Sequence, residues 1–300
     1  MKRMSALVRP LVIAAAVAAI GVVAVAAPVS RNVPDLSDVP LVSEQYVALG
    51  DSYTAAPLVP KMSLAGGCVR SESNYPSLVA AARPGTELVD QSCSQADSSH
   101  LTQPQDTGSS VVPPQLDAVN ADTDVVTLGI GGNDFDLFGN LMGYCTALRD
   151  QDPKGSPCRE AAQQPGVGDV YLDVLPQIRD HVARAVREIR RRAPDAQVLV
   201  VGYPQIVPAD GRCAALPFAE GDVEYARTVN RRLVTTVEAA ARRADATYID
   251  VWKATAGRDI CADDPWINGS QTTFEKALAY HPFAAEQAAV AELVVEALGD

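Results

Sequence analysis

From residue 44 onward, short apolar runs alternate with longer stretches of helical period. The runs are Tyr46-Val47-Ala48-Leu49, Glu87-Leu88-Val89, Val125-Val126-Thr127-Leu128, Val198-Leu199-Val200-Val201 and Thr247-Tyr248-Ile249-Asp250-Val251. Rich in β-branched residues and closed by Gly or polar residues, they suit strands buried on both faces of a parallel sheet. Residues 169–193 place Leu172, Leu175, Ile178, Val182, Val186 and Ile189 at spacings of three and four, and Pro194 ends the pattern. Residues 222–243 repeat it with Val223, Ala226, Val229, Leu233, Val237 and Ala240. Shorter helices are predicted over 75–83 and 282–297, the latter with Pro282 in its first turn. The alternation predicts one α/β domain over 44–300, a three-layer α/β/α sandwich with a five-stranded parallel sheet. In such sheets ligands bind beyond the carboxyl ends of the strands, so the loops leaving those ends are where chemistry is expected.

The segment before the domain has another pattern. Lys2, Arg3 and Arg9 precede an unbroken apolar stretch over 11–27, and Ala24-Val25-Ala26 fits a small-residue cleavage site. This predicts an export signal over 1–26, followed by a tether over 27–43. The stretch is near the lower limit of a membrane span, so an uncleaved anchor holding residues 11–27 in a membrane is the alternative. Six cysteines, an even number in an exported chain, predict disulfides. No C-x-x-C pair and no Cys–His zinc spacing occurs, so no metal site is expected. A net charge of -12 and a pI near 4.7 argue against nucleic acid as a partner. The basic run Arg190-Arg191-Arg192 falls where it would cap a helix dipole.

Three motifs at strand-to-loop or loop-to-helix junctions bear on chemistry. Gly50-Asp51-Ser52-Tyr53 follows the first strand, Gly129-Ile130-Gly131-Gly132-Asn133-Asp134 follows the third, and His281-Pro282 precedes the last helix. Alone, the first reads equally as a capped turn and the second as a Gly-Asn turn. Together they put a hydroxyl, a neutral amide donor and a base of near-neutral pKa at one sheet edge. Of the other histidines, His100 falls in a polar loop and His181 among charged residues of the long helix, both expected on the solvated surface. The α/β-hydrolase elbow G-x-S-x-G is not matched, because Thr54 stands where its last glycine belongs.

Val47 to Thr54, Gly131-Gly132-Asn133-Asp134 and His281-Pro282, in this order, resemble the catalytic blocks of the GDSL/SGNH hydrolases, and more narrowly the secreted lipase/esterase branch common in actinobacteria. Pro113-Pro114-Gln115-Leu116-Asp117 resembles a further stretch of that branch. The resemblance spans residue 44 to the end. It implies a flavodoxin-like sheet, no cofactor, and ester hydrolysis through an acyl-enzyme, with Ser52 as nucleophile and His281 as general base. A monomer acting on a small-molecule or lipid ester outside the cytoplasm, secreted or in the cell envelope, is the expectation. It further implies an oxyanion hole formed by the N–H groups of Ser52 and Gln95 and the Asn133 amide.

Two positions depart from the family pattern. Gln95 stands where the second block carries glycine, and Leu278 stands where many members carry an Asp three residues before the histidine. By resemblance to the lipase/esterase branch, the main-chain carbonyl of Leu278 then orients the imidazole. Carboxylates that could restore a triad are Asp134, Asp263 and Asp264. An acyltransferase on the same scaffold and a non-catalytic cell-wall binding module are the rival readings. Six cysteines allow about fifteen pairings. Neighbouring placement along one sheet edge, and the resemblance, favour Cys68–Cys93, Cys145–Cys158 and Cys213–Cys261. Phe135, Leu137, Phe138, Trp252, Trp266, Phe274 and Tyr280 fall in loops on the active edge, either as an acyl pocket or as the loops' own small cores.

Overall fold

A computed structural model describes residues 43–299. The predicted export segment, and the tether apart from Ser43, lie outside the described residues. Five parallel strands form the central sheet: β1 (Glu44–Gly50), β2 (Thr86–Asp90), β3 (Val125–Gly129), β4 (Gln197–Val201) and β5 (Thr247–Ile249). Their spatial order is β5-β4-β3-β1-β2. β1 therefore lies between β2 and β3, with Tyr46 paired to both Leu88 and Val125 and Gly50 paired to Gly129. That last pair sets the loop after β1 beside the loop after β3.

Successive strand residues point to opposite faces. Val47, Leu49, Val126, Leu128, Val198 and Val200 join the core under α3 (Leu175–Arg192) and α4 (Val223–Arg243). Tyr46, Ala48, Val125, Leu199 and Val201 join the core under α2 (Tyr75–Ala82) and α6 (Ala284–Leu298). The result is the three-layer α/β/α sandwich that the alternation predicts.

Several boundaries move for local reasons. α3 begins six residues after the predicted start at residue 169, because the Asp169 carboxylate accepts the Tyr171 and Leu172 N–H groups and the Tyr225 hydroxyl, folding that segment into a turn. β5 ends at Ile249 because the Asp250 carboxylate accepts the Lys253 N–H and caps the short helix α5 (Val251–Ala254). Pro282 lies outside α6. Phe283 is extended and its N–H goes to the Trp266 carbonyl, so the helix starts at Ala284. The basic run closes the last turn of α3, where Arg191 and Arg192 bond Glu188. No helix among the described residues is long and apolar enough to cross a membrane.

Disulfides join Cys68 to Cys93, Cys145 to Cys158 and Cys213 to Cys261. Every one of these cysteines lies in a segment leaving the carboxyl end of a strand.

Candidate active site

The turn after β1 is built to hold a hydroxyl at the sheet edge. Gly50 admits no side chain: a Cβ there would lie 2.2 Å from Thr54 Oγ1 and 2.6 Å from the Gly129 carbonyl. The buried Gln115 amide brackets it, accepting the Gly50 N–H at 2.8 Å and donating to its carbonyl at 2.9 Å. This gives the Pro113-Pro114-Gln115 stretch its role. Asp51 caps the short helix α1 (Ser52–Ala55) by accepting the Tyr53 N–H at 2.8 Å, so Ser52 opens a helix. Asp51 also accepts the Tyr203 hydroxyl at 2.5 Å, and that hydroxyl accepts the Gly132 N–H at 2.7 Å. Tyr203 thus ties the Ser52 turn to the loop after β3. Burial pushes the Asp51 carboxyl up to about 7, against the pull of the Tyr203 and Tyr53 hydrogen bonds.

His281 comes from the far end of the chain. Its Nε2 lies 2.8 Å from Ser52 Oγ, and its Nδ1 lies 2.7 Å from the Ala279 carbonyl. A carbonyl only accepts, so the ring proton sits on Nδ1 and Nε2 faces the serine hydroxyl as acceptor. Burial holds the imidazole below the ordinary histidine range, with the Ala279 carbonyl opposing that shift. The Tyr53 ring stands 5.3 Å from the imidazole, and its hydroxyl donates to the Tyr280 carbonyl at 2.7 Å.

The orienting carbonyl is therefore Ala279, one residue beyond the position expected. Leu278 O instead accepts the His281 main-chain N–H and the Asn268 side-chain amide, both at 3.1 Å. Tyr280 sits at φ 62° between them, and this left-handed kink turns the Ala279 peptide toward the ring. None of the three suspect carboxylates meets His281. Asp264 pairs with Arg258, Asp263 is exposed, and Asp134 turns to Ser98 and His181.

Gln95 and Asn133 flank the serine. Gln95 adopts φ 66°, the region glycine takes without cost. Asn133 donates one amide N–H to the Ala96 carbonyl at 2.9 Å, which leaves a second. The Ser52 and Gln95 N–H groups meet no acceptor among the described residues. A cleft of about 300 Å³ opens here, lined by Ser52, Gln95, Asn133, His281, Phe138, Met142 and Tyr280.

Of the seven loop aromatics and aliphatics, Phe138 and Tyr280 line this cleft. Leu137 belongs to the core, Trp252 and Trp266 carry the guanidinium groups of Arg231 and Arg258, and Phe274 is 80% exposed. Phe135 stacks on His181, ring centroids 5.6 Å apart. His181 is half-buried, and its Nδ1 lies 2.8 Å from Asp134 Oδ2. His100 accepts the Asp97 N–H, closing a capping box. Among the described residues no group of three His, Cys, Asp or Glu side chains is arranged to hold a metal.

The chain is similar in sequence and fold to known proteins. A sequence profile of the GDSL-like lipase/acylhydrolase family matches residues 48–289. A protein named lipase 2 from Streptomyces coelicolor is 37% identical over 265 residues, 85% of each chain. Among solved structures, the extracellular lipase of Streptomyces rimosus superposes with a TM-score of 0.70 at 27% identity, covering 84% of this chain and 98% of that one. Phospholipase A1 of Streptomyces albidoflavus superposes with the same TM-score at 26% identity and the same coverage.

Proposed function

The chain belongs to the GDSL-like lipase/acylhydrolase family, and from that premise we propose that it is an extracellular serine ester hydrolase working through an acyl-enzyme on Ser52. The observation that carries this reading is the line of contacts from Ser52 Oγ through His281 Nε2 and Nδ1 to the Ala279 carbonyl. As Ser52 Oγ attacks the ester carbonyl carbon, its proton passes to Nε2. The Ala279 carbonyl holds the ring and favours the imidazolium that forms. The negative charge on the former carbonyl oxygen is met by the Ser52 and Gln95 N–H groups and the free Asn133 amide N–H. Nε2 then returns the proton to the leaving alkoxide. Water, deprotonated by the same nitrogen, cleaves the acyl-enzyme and regenerates the serine.

The apolar wall of Phe138, Met142 and Tyr280 suits an acyl chain. Three disulfides and the likeness to a lipase described as extracellular support a site of action outside the cytoplasm. With an export signal over 1–26, the mature chain would begin at Ala27.

The test uses p-nitrophenyl esters of graded acyl length and a fluorophosphonate probe. Ser52 should take the label and esterase activity should vanish in Ser52→Ala. Asn133→Ala should retain activity lowered about 100- to 1000-fold, the range for one oxyanion donor. The acid limb of kcat/KM should lie below about pH 6.5, because burial lowers the pKa of the base and its neutral form persists to lower pH. Undiminished hydrolysis by Ser52→Ala would refute the reading.

A further inference from the structure

We propose that Asp134 and His181 are positioning residues that hold the two oxyanion-donating loops in register; this rests on the hydrolase reading above. The donors come from separate loops. Gln95 follows β2 and Asn133 follows β3, and both loops hold backbone conformations that L-residues resist. Gln95 has φ 66°, and Phe135 and Asp136, just after Asn133, have φ 57° and 54°. Such conformations persist where the surroundings over-determine them.

Asp134 supplies that constraint. Its carboxylate is 3% exposed. Oδ1 accepts the Ser98 N–H at 2.8 Å, and Oδ2 accepts the Ser98 hydroxyl at 2.7 Å and faces His181 Nδ1 at 2.8 Å. Ser98 lies three residues past Gln95, and Asp134 directly follows Asn133. The carboxylate therefore clamps one donor's loop to the other, in parallel with the bond from the Asn133 amide to the Ala96 carbonyl. The Ser98 hydroxyl lies 3.1 Å from the same His181 nitrogen, so serine, carboxylate and imidazole form one cluster. His181 stands on α3, packed in the sandwich, and anchors the clamp to a rigid element. Phe135 lies over its ring at 5.6 Å.

None of these groups touches the reacting atoms. Their expected effect is on donor alignment, which is expressed in the transition state and not in substrate binding. A displacement of about 1 Å in a catalytic group can cost roughly 100-fold.

The experiment measures kcat and KM for p-nitrophenyl butyrate, with thermal unfolding of each variant. Asp134→Ala should lower kcat about 10- to 100-fold with KM within about twofold. His181→Ala and Ser98→Ala should lower it about three- to tenfold at unchanged KM. The conservative Ser98→Thr, which keeps the hydroxyl, should recover most of the Ser98→Ala loss. If Asp134→Ala does not fold, the two Ser98 variants and His181→Ala decide alone. Losses under twofold throughout, or losses carried by KM, would overturn the clamp, as would a loss near 10,000-fold in Asp134→Ala, which would make it a triad carboxylate. Failure of the hydrolase reading is separate, since wild-type protein would then leave both the ester and the fluorophosphonate untouched.

Discussion

At Gln95 a single left-handed backbone angle coincides with a place in the lining of the cleft. A non-glycine residue in the left-handed region costs roughly 1–2 kcal/mol, and the family pattern has glycine at this position. Gln95→Gly should therefore raise stability by about 1 kcal/mol, less the entropy that glycine adds to the unfolded chain. The Gln95 side chain also borders the cleft, so its removal should raise kcat/KM for bulky acyl esters relative to acetate. Thermal unfolding and a two-ester competition check both effects. A less stable variant with an unchanged ester ratio would contradict them. Ser52, Asn133 and His281 were legible because each is a distinctive side chain at a strand or helix end. The Ala279 carbonyl was not, since every residue has one, and its direction depends on the φ of Tyr280. The Asp134–His181 contact was equally hidden, because it joins positions 47 apart that share no motif.

The inner strands β1, β3 and β4 could be read from composition because a sheet covered on both sides demands continuous apolar runs, whereas the edge strands β2 and β5 keep exposed residues. Helix starts were less legible, since they follow from single hydrogen bonds, such as those of Asp169 and Phe283. The start of α6 has a consequence of its own. Beginning at Ala284 buries Glu286 and Gln287 against the Ser52 turn, where the Gln287 amide donates to the Tyr53 carbonyl at 3.0 Å and accepts the Tyr75 N–H at 2.8 Å. Burial pushes the Glu286 carboxyl up to about 8, opposed by the Gln287 hydrogen bond. An unfolded glutamate titrates near 4.3, so between about pH 4 and 8 the folded chain holds a proton that the unfolded chain has released. Stability must then fall as pH rises through that window. Asp51, raised to about 7, acts in the same sense, while His281, lowered, acts in the opposite one. Glu286→Gln should flatten the decline and unfold at a higher temperature than wild type at pH 9. Melting curves from pH 5 to 9 that run parallel for the two proteins would count against this account.

Across the whole molecule, the sheet supplies rigidity and the disulfides hold what the sheet does not. The bridges close loops of sequence separation 25, 13 and 48 at the edge that carries the site. On a chain-entropy basis each contributes about 3–4 kcal/mol, most for the longest loop. A reductant titration should abolish esterase activity before far-ultraviolet dichroism changes, and Cys213→Ser/Cys261→Ser should melt lowest of the three paired double variants. Simultaneous loss of activity and dichroism would mean that the loops and the sheet unfold as one unit. The hydroxyl and the imidazole that meet at this edge lie 229 positions apart, one near each end of the domain. On the proposed mechanism, the segment that carries Ser52 is therefore translated long before the residue that would serve as its base. A product terminated before His281 would carry the serine without its proposed base, and should show none of the esterase activity.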